Sequence, residues 1–324
     1  MLEHQRAFLD WLVELAVERQ VDAVLVAGDV YDRAVPPTDA VRLLDEALSA
    51  FARAAVDVVI TSGNHDSSIR LGFGALLAKR AGVHLRTDLS SLTDPVLIGD
   101  LAIYGIPYLL PDAVMTDLAA DRSHTSVLSA AVRRIKDDAA ARGVSEIVVL
   151  AHAFVTGGVG CESERDIRVG GIGDVPAAVF RGITYTALGH LHGAQQIAPG
   201  IRYAGSPLPY SFSERNQRKS VALIDVDACG AVSMELVPTP VPRPMAQLRG
   251  RLDDLLADPA GPPEDAWLRV VLTDPARPAA PMERLRERWP HTLVLDFQPD
   301  VEPVDSAADL VRLRAQKDPV EVCT

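Results

Sequence analysis

The sequence predicts an α/β protein: two packed mixed β-sheets flanked by helices, with a small α+β segment appended at the C-terminus. Three observations carry this. Four apolar runs of strand length each end abruptly in Asp, Asn or His. Helical periodicities alternate with the early runs, and the later chain becomes strand-rich, the pattern of two stacked sheets with helices outside. From Pro238 the texture changes to alternating prolines (Pro238, Pro240, Pro242, Pro244), beyond which a second, shorter α/β rhythm begins.

Taken in order, Leu2 to Gln20 reads as an amphipathic helix, with Phe8, Leu12, Leu15 and Ala16 on one face and Trp11 beside them. Ala23 to Ala27 reads as a strand buried on both faces that runs into Gly28-Asp29-Val30-Tyr31-Asp32. A helix over Thr38 to Ala55, capped by Thr38 after Pro36-Pro37, leads to a strand at Val56 to Ser62. That strand runs into Gly63-Asn64-His65-Asp66. A short helix spans Leu71 to Arg80 and ends at Gly82, before a strand at Val83 to Arg86. Val96 to Ile98 and Leu101 to Tyr104 pair as a hairpin through Gly99-Asp100.

A long helix over Ser126 to Arg142 is closed by Gly143. The run Ile147 to Ala151 ends in His152. A glycine-rich loop, Thr156 to Gly173, separates it from Ile183 to Leu188, which runs into Gly189-His190-Leu191-His192. Short strands follow at Arg202 to Ala204, Ser220 to Asp227 and Val232 to Val237, the last two turning at Cys229-Gly230. These readings give a main domain over residues 1–237, a proline-rich linker over 238–244, a small α+β domain over 245–303, and the start of a helical tail over 304–324. Within the small domain Leu248 to Leu256 reads as a helix, Trp267 to Leu272 as a strand, Pro281 to Arg288 as a helix and Thr292 to Phe297 as a strand. Ala307 to Lys317 begins an amphipathic helix.

Bulk properties narrow the function classes. The chain has 324 residues, 48% hydrophobic and 23% charged, ordinary for a globular protein with a substantial core. It has no apolar run long enough to span a membrane and no secretory leader, so a cytoplasmic location is expected. Its three cysteines, Cys161, Cys229 and Cys323, are far apart and in no paired spacing, which argues for a reducing compartment. The net charge of −12 weighs against a free-standing DNA binder. Bound cations or a basic partner would have to supply positive charge for nucleic acid. There is no Gly-rich Lys-Ser/Thr phosphate loop, so ATP is not bound by that route.

Each motif has a bland reading when alone. A Gly-Asp after a strand is usually a turn, Asn-His-Asp can be turn chemistry, and a single His152 can be a satisfied core histidine. The i, i+2 pair His190 and His192 is stronger, because both imidazoles of an extended segment face one way and Gly189 permits close backbone approach. All four motifs at the carboxyl ends of apolar strands, where open α/β sheets bind ligands, point to a divalent metal. Arg70 could touch a phosphate, though such a residue is more often a solvated helix-start charge. Arg165 and Arg168 could line a DNA path, and a flexible surface loop explains them equally; Ser206 reads as turn chemistry, since spacing places no base beside it.

The ordered set Gly28-Asp29-Val30-Tyr31-Asp32, Gly63-Asn64-His65-Asp66, His152 and Gly189-His190-Leu191-His192 resembles the calcineurin-like metallophosphoesterases. Val169-Gly170-Gly171, Tyr203-Ala204-Gly205-Ser206-Pro207-Leu208 and Ser211-Phe212-Ser213-Glu214 resemble one branch of them, the SbcD nuclease subunits of bacterial SbcCD complexes. The resemblance implies the metallophosphoesterase fold with a C-terminal capping domain, and two divalent metal ions, usually Mn2+. It implies that Asp29 bridges the ions, that Asn64, His152 and His190 complete one site, and that His192 belongs to the other. His65 is then the general acid, with Asp32 holding its imidazole; a nearby carboxylate favours the imidazolium that leaving-group protonation needs.

The implied activity is phosphodiester hydrolysis, a 3'-5' exonuclease and hairpin endonuclease acting on double-stranded DNA ends in recombination, repair and replication. The implied partner is an SbcC-like coiled-coil ATPase, in a heterotetramer with two copies of each subunit. Two departures stand out. No strand ending in Asp-x-His precedes the first helix, which leaves the second metal only Asp29 and His192 and suggests a start upstream of Met1. The partner-binding helices are barely begun at Ala307. A phosphoesterase for small phosphodiesters, and a non-catalytic scaffold, are the competing readings.

Overall fold

The structure is a computed structural model that describes residues 1–164, 173–227 and 229–300. It divides into two compact units, Met1–Pro242 and one beginning at Arg243. Arg165, Arg168, the Val169-Gly170-Gly171 motif, the end of the small domain and the tail over 304–324 lie outside the described residues.

In the first unit, α1 (Leu2–Glu18), β1 (Ala23–Ala27), α2 (Thr38–Arg53), β2 (Asp57–Thr61), α3 (Ser68–Leu71), α4 (Ala75–Ala78) and β3 (Val83–Arg86) build the first half. The strands form a parallel three-stranded sheet in the order β1-β2-β3. The second half contains β4 (Val96–Ile98), β5 (Leu101–Ile106), α5 (Pro111–Leu118), α6 (His124–Arg142), β6 (Glu146–His152), β7 (Tyr185–Gly189), β8 (Gln195–Ala198) and β9 (Ile201–Tyr203). Its sheet is mixed and six-stranded, in the order β4-β5-β6-β7-β9-β8. An antiparallel hairpin of β10 (Ser220–Val226) and β11 (Val232–Pro238) completes the unit.

The period of two in a strand explains the layering. In β2, Val58 and Ile60 face a core shared with Ala16 of α1 and Phe51 of α2. Val59 points the other way, into a core with Ile103, Val148, Leu150 and Tyr185 of the second sheet. In β6, Val148 and Leu150 face that seam, while Ile147, Val149 and Ala151 pack against Val127, Ala131 and Ile135 of α6. Continuous apolar strands thus feed two cores at once, giving helix, sheet, sheet and helix layers.

Some expectations change. The fully buried strand expected at Ala23 to Ala27 is half-buried throughout, because β1 has one paired neighbour, β2, in its sheet. The helix expected over Leu71 to Arg80 is broken into α3, α4 and a 3-10 turn at Lys79–Ala81, since Gly72 ends the first piece and Gly74, in the left-handed region at φ 77°, starts the second. Helix α6 starts two residues earlier than expected, at His124, because Ser123 caps it by accepting from the Ser126 N–H at 3.1 Å. Strand β8 and helix α5 were not anticipated.

The second unit has β12 (Met245–Gly250), α7 (Leu252–Ala257), β13 (Trp267–Leu272), α8 (Pro281–Arg288) and β14 (Thr292–Phe297). The three strands are parallel, in the order β12-β13-β14. The expected helix over Leu248 to Leu256 is a strand followed by a helix. Gly250 ends β12, and the Asp274 carboxylate accepts from the Leu252 N–H at 3.0 Å where α7 begins. The core is built on Leu252, Leu268, Val270, Leu285 and the fully buried Trp289, whose indole N–H donates to the Pro262 carbonyl at 3.1 Å.

Candidate metal centre

Three strand ends meet at one place. The turn after β1 brings Asp29, the end of β6 brings His152, and the end of β7 brings His190. Ligand atoms of these three side chains all lie within 4.8 Å of one another. The turn after β2 adds Asn64, whose Oδ1 is 2.9 Å from His152 Nε2. Asp29 Oδ2 is 3.2 Å from the same nitrogen.

The glycines permit the crowding. A Cβ on Gly189 would lie 1.7 Å from the Ala27 carbonyl oxygen, and one on Gly63 would lie 2.1 Å from Asp29 Oδ1. Gly28, at φ 84°, would push a Cβ to 2.5 Å from His152 Nδ1. Two of the site's own side chains sit on strained backbone: Asp29 has φ 49° and His190 has φ 106°. The surrounding structure holds them there, as is common where side chains must converge on a ligand. The Asp66 carboxylate ties the two turns together, accepting from the N–H groups of Val30 at 3.1 Å, Tyr31 at 2.9 Å and Gly63 at 2.9 Å. Sequence reasoning gave Asp66 no part in the site; its place in the Gly63-Asn64-His65-Asp66 turn was the available signal.

Hydrogen bonding sets the donor chemistry. His152 Nδ1 is 2.8 Å from the Ala27 carbonyl, which can only accept. The Nδ1 proton is therefore fixed, and Nε2 is the ring nitrogen that faces the Asp29 and Asn64 oxygens. Nε2 and the two oxygens converge on one point, where a metal ion would take the place of a proton shared between them. Burial and the neighbouring His152 push His190 down to about 3, so it is a neutral donor. Burial alone would raise the Asp29 carboxyl, but the hydrogen bond and charge of His152 and the N–H of His65 outweigh it and bring it down to about 2. One carboxylate, one amide oxygen and two imidazoles are a donor set suited to a divalent ion of intermediate softness. The residues present fit the metal expected from the sequence.

These shifts carry a pH dependence. His190 is protonated in the unfolded chain below about pH 6.5 but in the folded chain only near 3. Between those values the unfolded state binds the extra proton, so stability falls as pH drops through this window, by on the order of 4 kcal/mol in total. Asp29 adds to the loss at the acid end, between the ordinary carboxylate range and about 2. Urea denaturation of the metal-free chain at pH 7 and at pH 4.5 is expected to show a lower midpoint at pH 4.5, and His190→Gln is expected to flatten the dependence.

His65 flanks the cluster. Its main-chain N–H donates to Asp29 Oδ1 at 3.0 Å, and its Nε2 is 3.9 Å from Asp29 Oδ2. Its Nδ1 lies 3.0 Å from the Asp32 carbonyl and 3.7 Å from the Asp32 carboxylate. Asp32 thus meets the imidazole first through its main chain rather than the side chain expected to hold it, and that side chain is three-quarters exposed. Arg70 lies exposed on α3, outside the cluster.

His192 is placed elsewhere, in a group with Cys161 and Glu164. Its Nδ1 lies 2.9 Å from Ser163 Oγ and 3.2 Å from Glu214 Oε1. Glu214 is fully buried and pairs with Lys219 Nζ at 2.5 Å. It also accepts from Ser163 Oγ at 2.6 Å and Ser206 Oγ at 3.2 Å. Burial opposes its charge, but His192, Lys219 and Ser163 outweigh that and hold the carboxyl down to about 2. The Gly205-Ser206-Pro207 and Ser211 to Glu214 text is therefore the polar wall behind His192. Glu214 and Lys219 were missed as individual residues because neither resembles a ligand in sequence.

Two family models match. Residues 241–323 match the SbcD C-terminal domain, described as Type 5 capsule protein repressor C-terminal domain. Residues 3–194, more than half of the chain, match Calcineurin-like phosphoesterase. That span contains Asp29, Asn64, His65, His152, His190 and His192, and the chain belongs to the calcineurin-like phosphoesterases.

Proposed function

We propose that the protein is an SbcD-like nuclease subunit, a metal-dependent phosphodiester hydrolase that cuts double-stranded DNA ends and hairpins beside an SbcC-like coiled-coil ATPase. The observation that carries this reading is the meeting of Asp29, His152 and His190 from three separate strand ends. The C-terminal family match favours this branch over enzymes for small phosphodiesters.

Asp29, Asn64, His152 and His190 would hold a divalent ion, with Mn2+ the proposed occupant. When bound, the ion supplies Lewis-acid polarisation of a scissile phosphate. The chain's own groups do the rest. The Ala27 carbonyl holds the His152 Nδ1–H, so that Nε2 is the nitrogen turned to the site. The Asp32 carbonyl orients His65 so that Nδ1–H is held and Nε2 is left on the Asp29 side, where it can carry a proton to a departing oxygen. Asp29 and His192 as holders of a second ion remain part of the proposal, with His192 supplied from the Glu214 wall.

His65→Ala is expected to lower kcat on a phosphodiester by about 10²- to 10⁴-fold, the usual contribution of a positioned proton donor. Manganese affinity should change little, and a leaving group that needs no proton, such as a nitrophenolate, should lose much less. Equal losses on both substrates would contradict the acid role.

The proposed assembly holds two copies of this chain. Ile69, Phe73, Leu76 and Leu77 project from α3, α4 and the turn between them, each at least 73% exposed. Four exposed apolar side chains so close in sequence, immediately after the Asn64-His65-Asp66 turn, suit a self-complementary contact. Phe73→Glu is expected to turn a dimer into a monomer in light scattering while leaving manganese binding intact.

The deciding experiment offers the chain, with Mn2+, ATP and the ATPase partner, an end-labelled linear duplex and a cyclic nucleotide. Release of nucleotides from the duplex is expected. Turnover of the cyclic nucleotide alone would move the reading to small phosphodiesters, and no turnover of either would leave the scaffold reading.

A further inference from the structure

Cys161, Glu164 and His192 form a second donor cluster, set on the turn that opens the loop after β6 and on the segment after β7. Their ligand atoms all lie within 4.8 Å of one another. The Cys161 thiol donates to Glu164 Oε1 at 3.4 Å, and the same carboxylate accepts from the His192 N–H at 2.5 Å. Its other oxygen accepts from the Cys161 N–H at 2.6 Å, which pins the carboxylate in place. Ser163 Oγ, 3.0 Å from the sulfur and 2.9 Å from His192 Nδ1, bridges the remaining gap.

This donor set differs in kind from the Asp29 cluster. It contains a sulfur, the softest ligand a protein offers, together with an imidazole and a carboxylate. Around a small tetrahedral ion with bonds of 2.0–2.3 Å, ligand atoms stand about 3.5 Å apart. The sulfur and Glu164 oxygen already have that separation. An ion entering there would take the place of the thiol proton and release it to solvent.

We infer that Cys161, Glu164 and His192 form a binding site for a thiophilic divalent cation of the zinc class, distinct from the cluster of Asp29, Asn64, His152 and His190. One consequence rests on the proposed function. His192 is the histidine assigned there to a second catalytic ion, so a zinc-class ion on Cys161 would hold it away from the phosphoesterase centre and lower turnover.

The test of binding does not depend on activity. Cadmium titrated into the full chain is expected to give a near-ultraviolet thiolate-to-metal charge-transfer band that saturates at one equivalent. Cys161→Ala should abolish the band and Cys229→Ser should leave it. Glu164→Gln should keep the band and weaken affinity at least tenfold. On the unaltered chain, one equivalent of zinc should protect Cys161, and not the exposed Cys229, from alkylation mapped by mass spectrometry. A band that survives Cys161→Ala, or Cys161 alkylated equally fast with and without zinc, overturns the site. If the band behaves as expected but zinc leaves DNA cleavage unchanged, the site stands and its link to the catalytic centre fails.

Discussion

Asp29→Asn is expected to abolish tight manganese binding and to lower phosphodiester turnover by about 10³-fold or more, with the fold intact. Asp29 supplies the only carboxylate in the central cluster, and it is ionised, with its carboxyl held down to about 2. Removing its charge leaves two imidazoles and two amide oxygens, which bind a divalent ion far less tightly. Loss of one preorganised electrostatic group of this kind typically costs about 10²- to 10³-fold, and here the group also anchors the metal. The substitution is well chosen structurally. Asn tolerates the left-handed conformation that Asp29 adopts at φ 49°, and its amide oxygen can still accept the His65 N–H. Calorimetry with Mn2+ and circular dichroism distinguish the outcomes. An unchanged manganese affinity would remove Asp29 from the centre.

Gly189→Ala is expected to have the largest structural effect of any single methyl group added near the site. Its Cβ would lie 1.7 Å from the Ala27 oxygen and 3.0 Å from His152 Nδ1. Neither neighbour can move cheaply. Ala27 is paired in β1, and its carbonyl is the acceptor that fixes the His152 proton. The two sheets would have to part where they bring Asp29 and His190 together. A cost of about 3 kcal/mol or more is expected, at the upper end for overpacking. Gly99→Ala is the control. Gly99 also has positive φ, at 57°, but nothing lies within 4 Å of its Cβ position, so only the backbone penalty of about 1 kcal/mol applies. Denaturant midpoints of the two variants should differ clearly, and manganese binding should be lost only in Gly189→Ala. Equal costs would mean that the close approach of β7 to the turn after β1 is not what the glycine serves.

The parts of this protein that are legible in its sequence are those governed by local periodicity and by side-chain chemistry. The continuous apolar run of β6 and the alternation of Val58, Val59 and Ile60 are enough to place these strands between two cores. Asp29, Asn64, His152 and His190 stand out because polar ligand residues terminate apolar strands. What escapes such reading is set by contacts between distant segments. Strand β1 is half-buried because of its place in the sheet order, which its composition does not encode. The break between α3 and α4 depends on Gly72 and Gly74 inside an otherwise helical pattern. Strand β12 looks helical because Leu248, Leu252 and Leu255 keep helical spacing across a strand-to-helix boundary.

The same division holds within the site. Asp66 works through three main-chain N–H groups, two of which lie 35 and 36 residues away in sequence. Glu214 reaches His192 only through the fold of the segment after β9. The preference of His65 for the Asp32 carbonyl over its carboxylate is a matter of turn geometry. Of these, only Asp66 leaves a mark in residue spacing, through its place in the Gly63-Asn64-His65-Asp66 turn.

The most direct measurement is an anomalous diffraction map from crystals of the chain soaked in Mn2+. The account predicts a strong peak within bonding distance of Asp29, Asn64, His152 and His190, with the Ala27 carbonyl still bonded to His152 Nδ1. No anomalous density among those four side chains, at a manganese concentration that saturates binding in solution, would contradict it.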